Sequence, residues 1–422
     1  MKSEILNNIF EIDKNRILEP FIEDHLRAFN NGEWLEAELV PLSDEWICKN
    51  RVIADIEQEA ENDLLKMAAN IRNNTTLKFL FFHCCKLLYS ENKLYPNAVT
   101  DWSDFTALLN EGKGSMFLLL LSFHAIDHIV AIHKTMNIPQ EITLATCADV
   151  GSRVQISKEF KNGEIGISTV CLNWHRTNFV AGRIFQIGRL QFHLVQFNQP
   201  FRVYRKRTAS EYMIICEPGL RVSPSGALDG AGGKLNENSW TTKFTLLNDQ
   251  IKANQVDDKK GNVIRNPVIF SEEEWMPVIN SDSLVMNIHI PRGPRISNET
   301  FFDSIAQAFD FFEKKREPTV TLDAAICTSW MFDPVLQEFL SDSSALVSLQ
   351  NSAHLFPFPT LETNCGIYFI FGKERIDINS VPTDTSLRKG VVEHLRKGGV
   401  LTGGGMIFFK DEYKLKRNIN DN

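Results

Sequence analysis

A change in the spacing of apolar residues near Asn162-Gly163 constrains this chain more than any other feature. Before it, apolar side chains recur at helical spacing, and Gly and Pro are placed as breaks between segments. Asp63 to Tyr89 carries a long apolar face without Gly or Pro. Asp101-Trp102-Ser103-Asp104 reads as a helix start, with Phe105, Leu108 and Leu109 following. Met116 to Met136 is the strongest helical stretch, and Asn137-Ile138-Pro139 ends it. After Asn162-Gly163 the period falls to two, in Leu190, Phe192 and Leu194, in Met213 to Ile215, and in Phe244 and Leu246. Period two with Gly, Asn and Asp between the runs indicates strands and hairpins. The expected organisation is a helical domain over 1–162 and a mixed α/β domain with a central sheet over 163–422, an α+β chain.

The clearest supersecondary unit starts at Ser283. Ser283 to Ile290 reads as a strand. Pro291-Arg292-Gly293-Pro294-Arg295-Ile296 cannot continue a sheet ladder, because its prolines lack N–H donors. Ser297 suits a helix N-cap, and Phe301, Ile305, Ala308, Phe309 and Phe312 then share one helical face until Pro318. Thr319 to Cys327 reads as a second strand, parallel to the first because a helix crosses over between them. A short helix after Asp333-Pro334, a strand at Ile367 to Phe371, a helix at Ser386 to Lys397 and a strand at Met406 to Phe409 complete the pattern.

Charge and cysteine usage exclude several functions. Acids outnumber bases, 53 to 45, for a formal charge of −8, which argues against a nucleic-acid binder. The eight cysteines contain no C-x-x-C pair, so neither a zinc ribbon nor a disulfide framework is legible, and no metal is expected. The start lacks the apolar stretch of a signal peptide. His124, Asp127 and His128 interrupt the window Met116 to Ile132, which reads as too short and too polar for a bilayer. The expectation is a cytoplasmic protein without a membrane or nucleic-acid partner.

Candidate chemistry concentrates where the two parallel strands end, the edge at which open α/β sheets bind ligands. Val285, Asn287 and His289 share one face of the first strand; Asp323, Ala325, Cys327 and Ser329 share a face of the second. Arg292 and Arg295, before a helix N-terminus, fit either a phosphate-bearing ligand or a solvated turn. His289 fits either a general base or a sheet histidine bonded to a neighbour. Cys327 fits either a nucleophile activated by His289 or a small buried thiol. Three further constellations also have two readings each: His124 and His128, one helical turn apart, with His133, as metal ligands or as polar residues facing another helix; Arg183, Arg189, Arg202, Arg205, Lys206 and Arg207 as a patch that steers a CoA or an acidic substrate or as a solvated strand edge; and Asp229 to Lys234, phosphate-loop-like but without the full spacing, as a flexible loop or a lid.

Several of these stretches also resemble a known family. Ile288-His289-Ile290-Pro291-Arg292-Gly293, the Phe-rich helix, Cys327-Thr328-Ser329-Trp330-Met331-Phe332-Asp333-Pro334, Phe369-Ile370-Phe371-Gly372, Trp174-His175, Ile187 to Phe192 and Glu274 to Val278 are similar to the bacterial two-domain predicted acyltransferases. Those proteins join a helical N-terminal acyltransferase-associated domain to a GNAT-like C-terminal domain. The resemblance implies transfer of an acyl group from acetyl-CoA or another acyl-CoA to the amine of a small-molecule acceptor. It implies a gap between splayed strands for the pantetheine arm, with Ile290, Arg292, Gly293, Arg295 and Ser297 around the pyrophosphate. His289 would be the base, and Ser329 or Cys327 would protonate the leaving thiolate. The alternative is a catalytically silent GNAT-like module that binds a small molecule or a protein.

Overall fold

A computed structural model describes residues 40–89, 114–294, 296–315, 321–358, 365–373 and 375–412. The expected helix start at Asp101 to Asp104 and its apolar residues Phe105, Leu108 and Leu109 lie outside these residues, as do Arg295 and Pro318. The chain divides into two compact units: Met1–Gln186 with Pro291–Pro294, and Ile187–Ile290 with Arg295–Asn422.

The first unit is helical. Its helices are α1 (Asp44–Ile53), α2 (Glu61–Asn73), α3 (Thr75–Tyr89), α4 (Gly114–Thr135), α5 (Gln140–Cys147), α6 (Asp149–Phe160) and α7 (Thr169–Phe179). Local chemistry sets several boundaries. Ser43 accepts the Trp46 N–H to cap α1, with Asp44 and Glu45 in its first turn and Arg51 in its last, matching the helix dipole. The run from Asp63 to Tyr89 is two helices rather than one. Asn74 ends α2 in an extended conformation, and its side chain accepts the Leu77 N–H at 3.1 Å to start α3.

Helix α4 forms the centre of this unit. At 22 residues it is long and apolar enough to cross a bilayer by length and composition, which corrects the expectation drawn from its interrupted apolar window. Here, however, Phe117, Leu119, Leu121, Phe123 and Ile126 are buried among the other helices. Ser122 on α4, His175 on α7 and Asp149 on α6 form a fully enclosed polar thread. The His175 ring has Nδ1 2.6 Å from Ser122 Oγ and Nε2 3.1 Å from Asp149 Oδ2. Burial opposes charge on Asp149, but Arg153 and His175 outweigh it and hold the carboxyl far below its ordinary range. Burial holds His175 down despite Asp149, so the ring is neutral and joins three helices.

The second unit is built on strands: β1 (Phe185–Ile187, crossing the unit boundary), β2 (Leu190–Gln196), β3 (Phe201–Lys206), β4 (Tyr212–Cys216), β5 (Arg221–Val222), β6 (Trp240–Thr241), β7 (Phe244–Leu247), β8 (Gln250–Ala253), β9 (Val256–Asp257), β10 (Asn262–Val263), β11 (Val268–Ser271), β12 (Trp275–Ile279) and β13 (Leu284–His289). Then follow α8 (Asn298–Lys315), β14 (Ala324–Ser329), α9 (Leu336–Phe339), α10 (Ala345–Asn351), β15 (His354–Phe356), α11 (Ile367–Phe371), α12 (Ser386–Arg396) and β16 (Gly404–Phe409). The main sheet has the order β1-β2-β13-β14-β16-β15. Among the described residues β13 and β14 are the one parallel pair, joined by α8, as the strand–helix–strand reading requires. The apolar face of α8 is buried, and Phe302 stacks on Phe408 of β16 at 4.8 Å.

One expected element is of the other type. Ile367 to Phe371 is helix α11, not a strand. Its short apolar run carries no decisive period. The flanking Gly366 and Gly372 both adopt positive φ, at 91° and 72°, and so turn the chain at each end. Ile367 and Ile370 are buried at helical spacing, whereas Phe369 is exposed. A side chain at Gly366 would also collide with Trp330.

Candidate active site

Strand register decides which polar groups meet. On β2 and β13, Gln191 pairs with His289, His193 with Asn287 and Val195 with Val285. On β13 and β14, Asn287 pairs with Ile326 and Met286 with Ala325. Side chains alternate between sheet faces, so Gln191, His193, Asn287 and His289 form a polar block on one face, in line with Thr328. Met286, Ile288, Ala325, Cys327 and Ser329 lie on the other face, with Phe408, where α8 packs.

This register corrects one reading. Cys327 and His289 belong to opposite faces of the sheet, so His289 does not activate the Cys327 thiol. Cys327 is instead buried, and burial pushes its pKa up to about 12. Ser329 shares that face, and its hydroxyl accepts the Met331 N–H to start the turn Trp330–Phe332. Cys327 and Ser329 therefore do not meet His289, because the pleat puts them on the opposite face.

The histidine has a partner that the sequence reading passed over. His289 Nε2 lies 3.1 Å from His193 Nδ1 and 3.2 Å from Asn287 Nδ2, and the two rings stack with centroids 4.8 Å apart. His193 is buried and His289 half-buried. The signal for His193 was present: Gln191 and His193 occupy the polar positions of a strand whose alternate residues, Leu190, Phe192 and Leu194, are apolar.

The ladder between the two parallel strands is short. The β13–β14 ladder contains only Met286↔Ala325 and Asn287↔Ile326. Yet β13 stays paired with β2 through His289, and β14 stays paired with β16 through Ser329. Each strand keeps its outer neighbour beyond the last β13–β14 pair, so the inner ladder is the first to end, next to His289 at the carboxyl ends. The Phe-rich helix that follows starts with a reciprocal cap: Ser297 Oγ accepts the Thr300 N–H, and Thr300 Oγ1 accepts the Ser297 N–H, both at 3.2 Å.

The loop residues have other engagements. Ile290 is half-buried at the strand end, and Gly293 is exposed. Arg292 forms an ion pair with Glu159 and lies over the Phe160 ring, within the unit that contains Pro291–Pro294.

The remaining constellations resolve as structure. His124 packs edge-on to His128, with ring centroids 5.2 Å apart, and Tyr89 lies against both rings. Among the described residues no group of three or more His, Cys, Asp or Glu is placed to hold a metal. Within the basic stretch, Arg202 pairs with Glu217, Arg205 with Asp411 and Lys206 with Glu211. Arg207 donates to the Glu272 carbonyl and Arg183 to Asn178. Lys234, at the end of the glycine loop, donates to the Gly398 carbonyl at 2.8 Å, so that loop is tied down at its lysine.

Comparison with known proteins bears on the family and the fold. Residues 184–407 match the family of GNAT-like C-terminal domains, and residues 51–180 match that of N-acyltransferase N-terminal domains. No curated protein matches the sequence. Among solved structures, the fold is similar to an acyltransferase mutant in complex with octanoyl-CoA (TM-score 0.58, 14% identity, 86% of this chain and 88% of that one). It is also similar to an acyltransferase in complex with decanoyl-CoA and teicoplanin (0.56, 14%, 85% and 86%) and to one in complex with CoA and 10C-teicoplanin (0.52, 14%, 86% and 99%).

Proposed function

The chain belongs to the family that joins an N-acyltransferase N-terminal domain to a GNAT-like C-terminal domain, and from that premise we propose that it transfers an acyl group from an acyl-CoA thioester directly to an amine. The observation that carries this reading is the early end of the β13–β14 ladder next to His289, which we read as the entry for the pantetheine arm. The similar structures that hold octanoyl-CoA, decanoyl-CoA or CoA support the choice of thioester.

In this reaction the amine nitrogen attacks the thioester carbonyl, its proton passes to a base, and the C–S bond breaks as the CoA thiolate leaves and is protonated. His289 is the base, with its ring held by Asn287 and His193. A backbone N–H of β13 beyond Asn287, no longer in the β14 ladder, polarises the carbonyl as charge builds on oxygen. The register opposes a covalent cysteine step, so transfer is direct.

The test is thermal unfolding with and without CoA and decanoyl-CoA. A ligand at one hundred times its dissociation constant adds about 2.7 kcal/mol of stability, which raises the melting temperature by several degrees. Incubation with decanoyl-CoA and a panel of primary amines, read by mass spectrometry, then identifies the acceptor as a decanoyl amide. No shift at millimolar CoA would overturn the acyl-CoA reading and favour a silent module.

A further inference from the structure

Strand β7 (Phe244–Leu247) is the outer strand of the three-stranded sheet β11-β8-β7. Its pairing with β8 fixes which backbone groups are spare. The Lys243 N–H donates to Asn254 Oδ1 and the Lys243 carbonyl accepts the Asn254 N–H, so odd-numbered residues here turn their backbone groups toward β8. Alternation then points the N–H and C=O of Phe244 and Leu246 outward, off the edge of the sheet. The side chains at this edge are apolar and solvated: Leu246 is 57% and Leu247 61% exposed. Other edges in this unit are blocked. Strand β12 contains Pro277 with a break in register beside it, and the Leu355 N–H of β15 is taken by the Asp258 carbonyl. Strand β7 has neither proline nor charge, and Thr245, Leu246 and Leu247 are all exposed, which makes it a template for another strand.

We propose that β7 is the contact between two copies of this chain, which pair antiparallel about a twofold axis at Thr245 and join their three-stranded sheets edge to edge. This register sets Phe244 of each copy opposite Leu246 of the other, so every outward group on both strands bonds, about four hydrogen bonds in all. An axis at Leu246 instead sets Phe244 opposite Asn248, which lies in the turn to β8 at φ 55° and cannot extend the ladder. Charge favours the same register. Lys243 falls opposite Leu247 of the second copy and diagonal to its Asp249, within reach of a long side chain, and symmetry repeats the pair. Both residues are exposed, and neither forms an ion pair among the described residues. Leu246 pairs with Ile251, which is buried with Tyr204 and Phe270, so Phe244 of the second copy extends an existing apolar cluster. The contact is narrow, which suits a reversible dimer rather than an obligate one.

The test is sedimentation velocity across a concentration series with wild type, Thr245→Lys and Thr245→Glu. Thr245 is exposed, so both variants should melt within a few degrees of wild type. Wild type should pass from monomer to dimer as its concentration rises toward about 0.2 mM. Each variant alone should associate about tenfold more weakly or worse, because the axis sets like charges directly opposite each other. An equimolar mixture of the two variants should regain the dimer, since opposite charges then face each other, a result that damage to the fold cannot produce. Wild type that stays monomeric at about 0.2 mM overturns the proposal and leaves the edge to a strand of a different protein. A wild-type dimer that both variants retain also overturns it, since the contact is then on another face. Species larger than a dimer do the same, as does a mixture that stays monomeric, which refutes the axis at Thr245.

Discussion

Replacing Cys327 by alanine separates direct transfer from a route through an acyl-cysteine. The thiol's pKa is raised from 9.0 to about 12 by burial. At pH 7.5 the thiolate fraction is therefore about 3 in 100,000, against about 3 in 100 at the ordinary value, a deficit on the order of a thousandfold in the reactive species. The register adds a second obstacle, since the candidate base, His289, lies on the other face of the sheet. Cys327→Ala should leave kcat within about threefold of wild type, because no bond to sulfur is made or broken in direct transfer. The loss of a buried thiol should cost about 1–2 kcal/mol, a shift of a few degrees in melting temperature. Iodoacetamide labelling of the native protein, followed by peptide mass spectrometry, should leave Cys327 unmodified while more exposed cysteines react. If decanoyl-CoA alone places a decanoyl group on Cys327, or if Cys327→Ala abolishes turnover while the fold survives, both the pKa argument and the facing argument are wrong.

Two other expectations are open to direct measurement. His289→Gln should lower kcat about 10²–10³-fold near pH 7 with any amine the wild type acylates, in the range general-base removal produces; the loss should shrink as pH rises and the amine deprotonates by itself, and a variant within twofold of wild type would exclude His289 as the base. His354 is clasped by Asp258 and Glu412: burial opposes its charge, but the hydrogen bonds to the two carboxylates outweigh burial and raise its pKa above 6.5. Its contribution to stability is therefore complete below about pH 6.5 and is lost as pH rises through the higher folded value. His354→Gln should lower the melting temperature at pH 6 and flatten its alkaline decline, and a pH–stability curve parallel to that of wild type would refute the clasp.

The sequence alone determined the broad architecture, because hydrophobic period is a local property. The switch from helical spacing to alternation, the proline-bearing loop at Pro291 to Pro294 and the Phe-rich face of α8 each follow from neighbouring residues, and they gave the helical part, the strand-rich part and the parallel pair. Where local signals tie, the sequence reading failed: Ile367 to Phe371 has a strand-like composition, and flanking glycines with packing against Trp330 make it a helix. Polar candidates were legible as residue types, but their partners were not, since register is a relation between distant segments. A shift of one residue exchanges the two faces of a strand. Only the tertiary structure could place His193 and Gln191 beside His289, put Cys327 behind the sheet, engage Arg292 with Glu159, and end the β13–β14 ladder early. These facts arise from chain segments far apart in sequence that compete for the same space and the same backbone hydrogen bonds, a competition that no local pattern records.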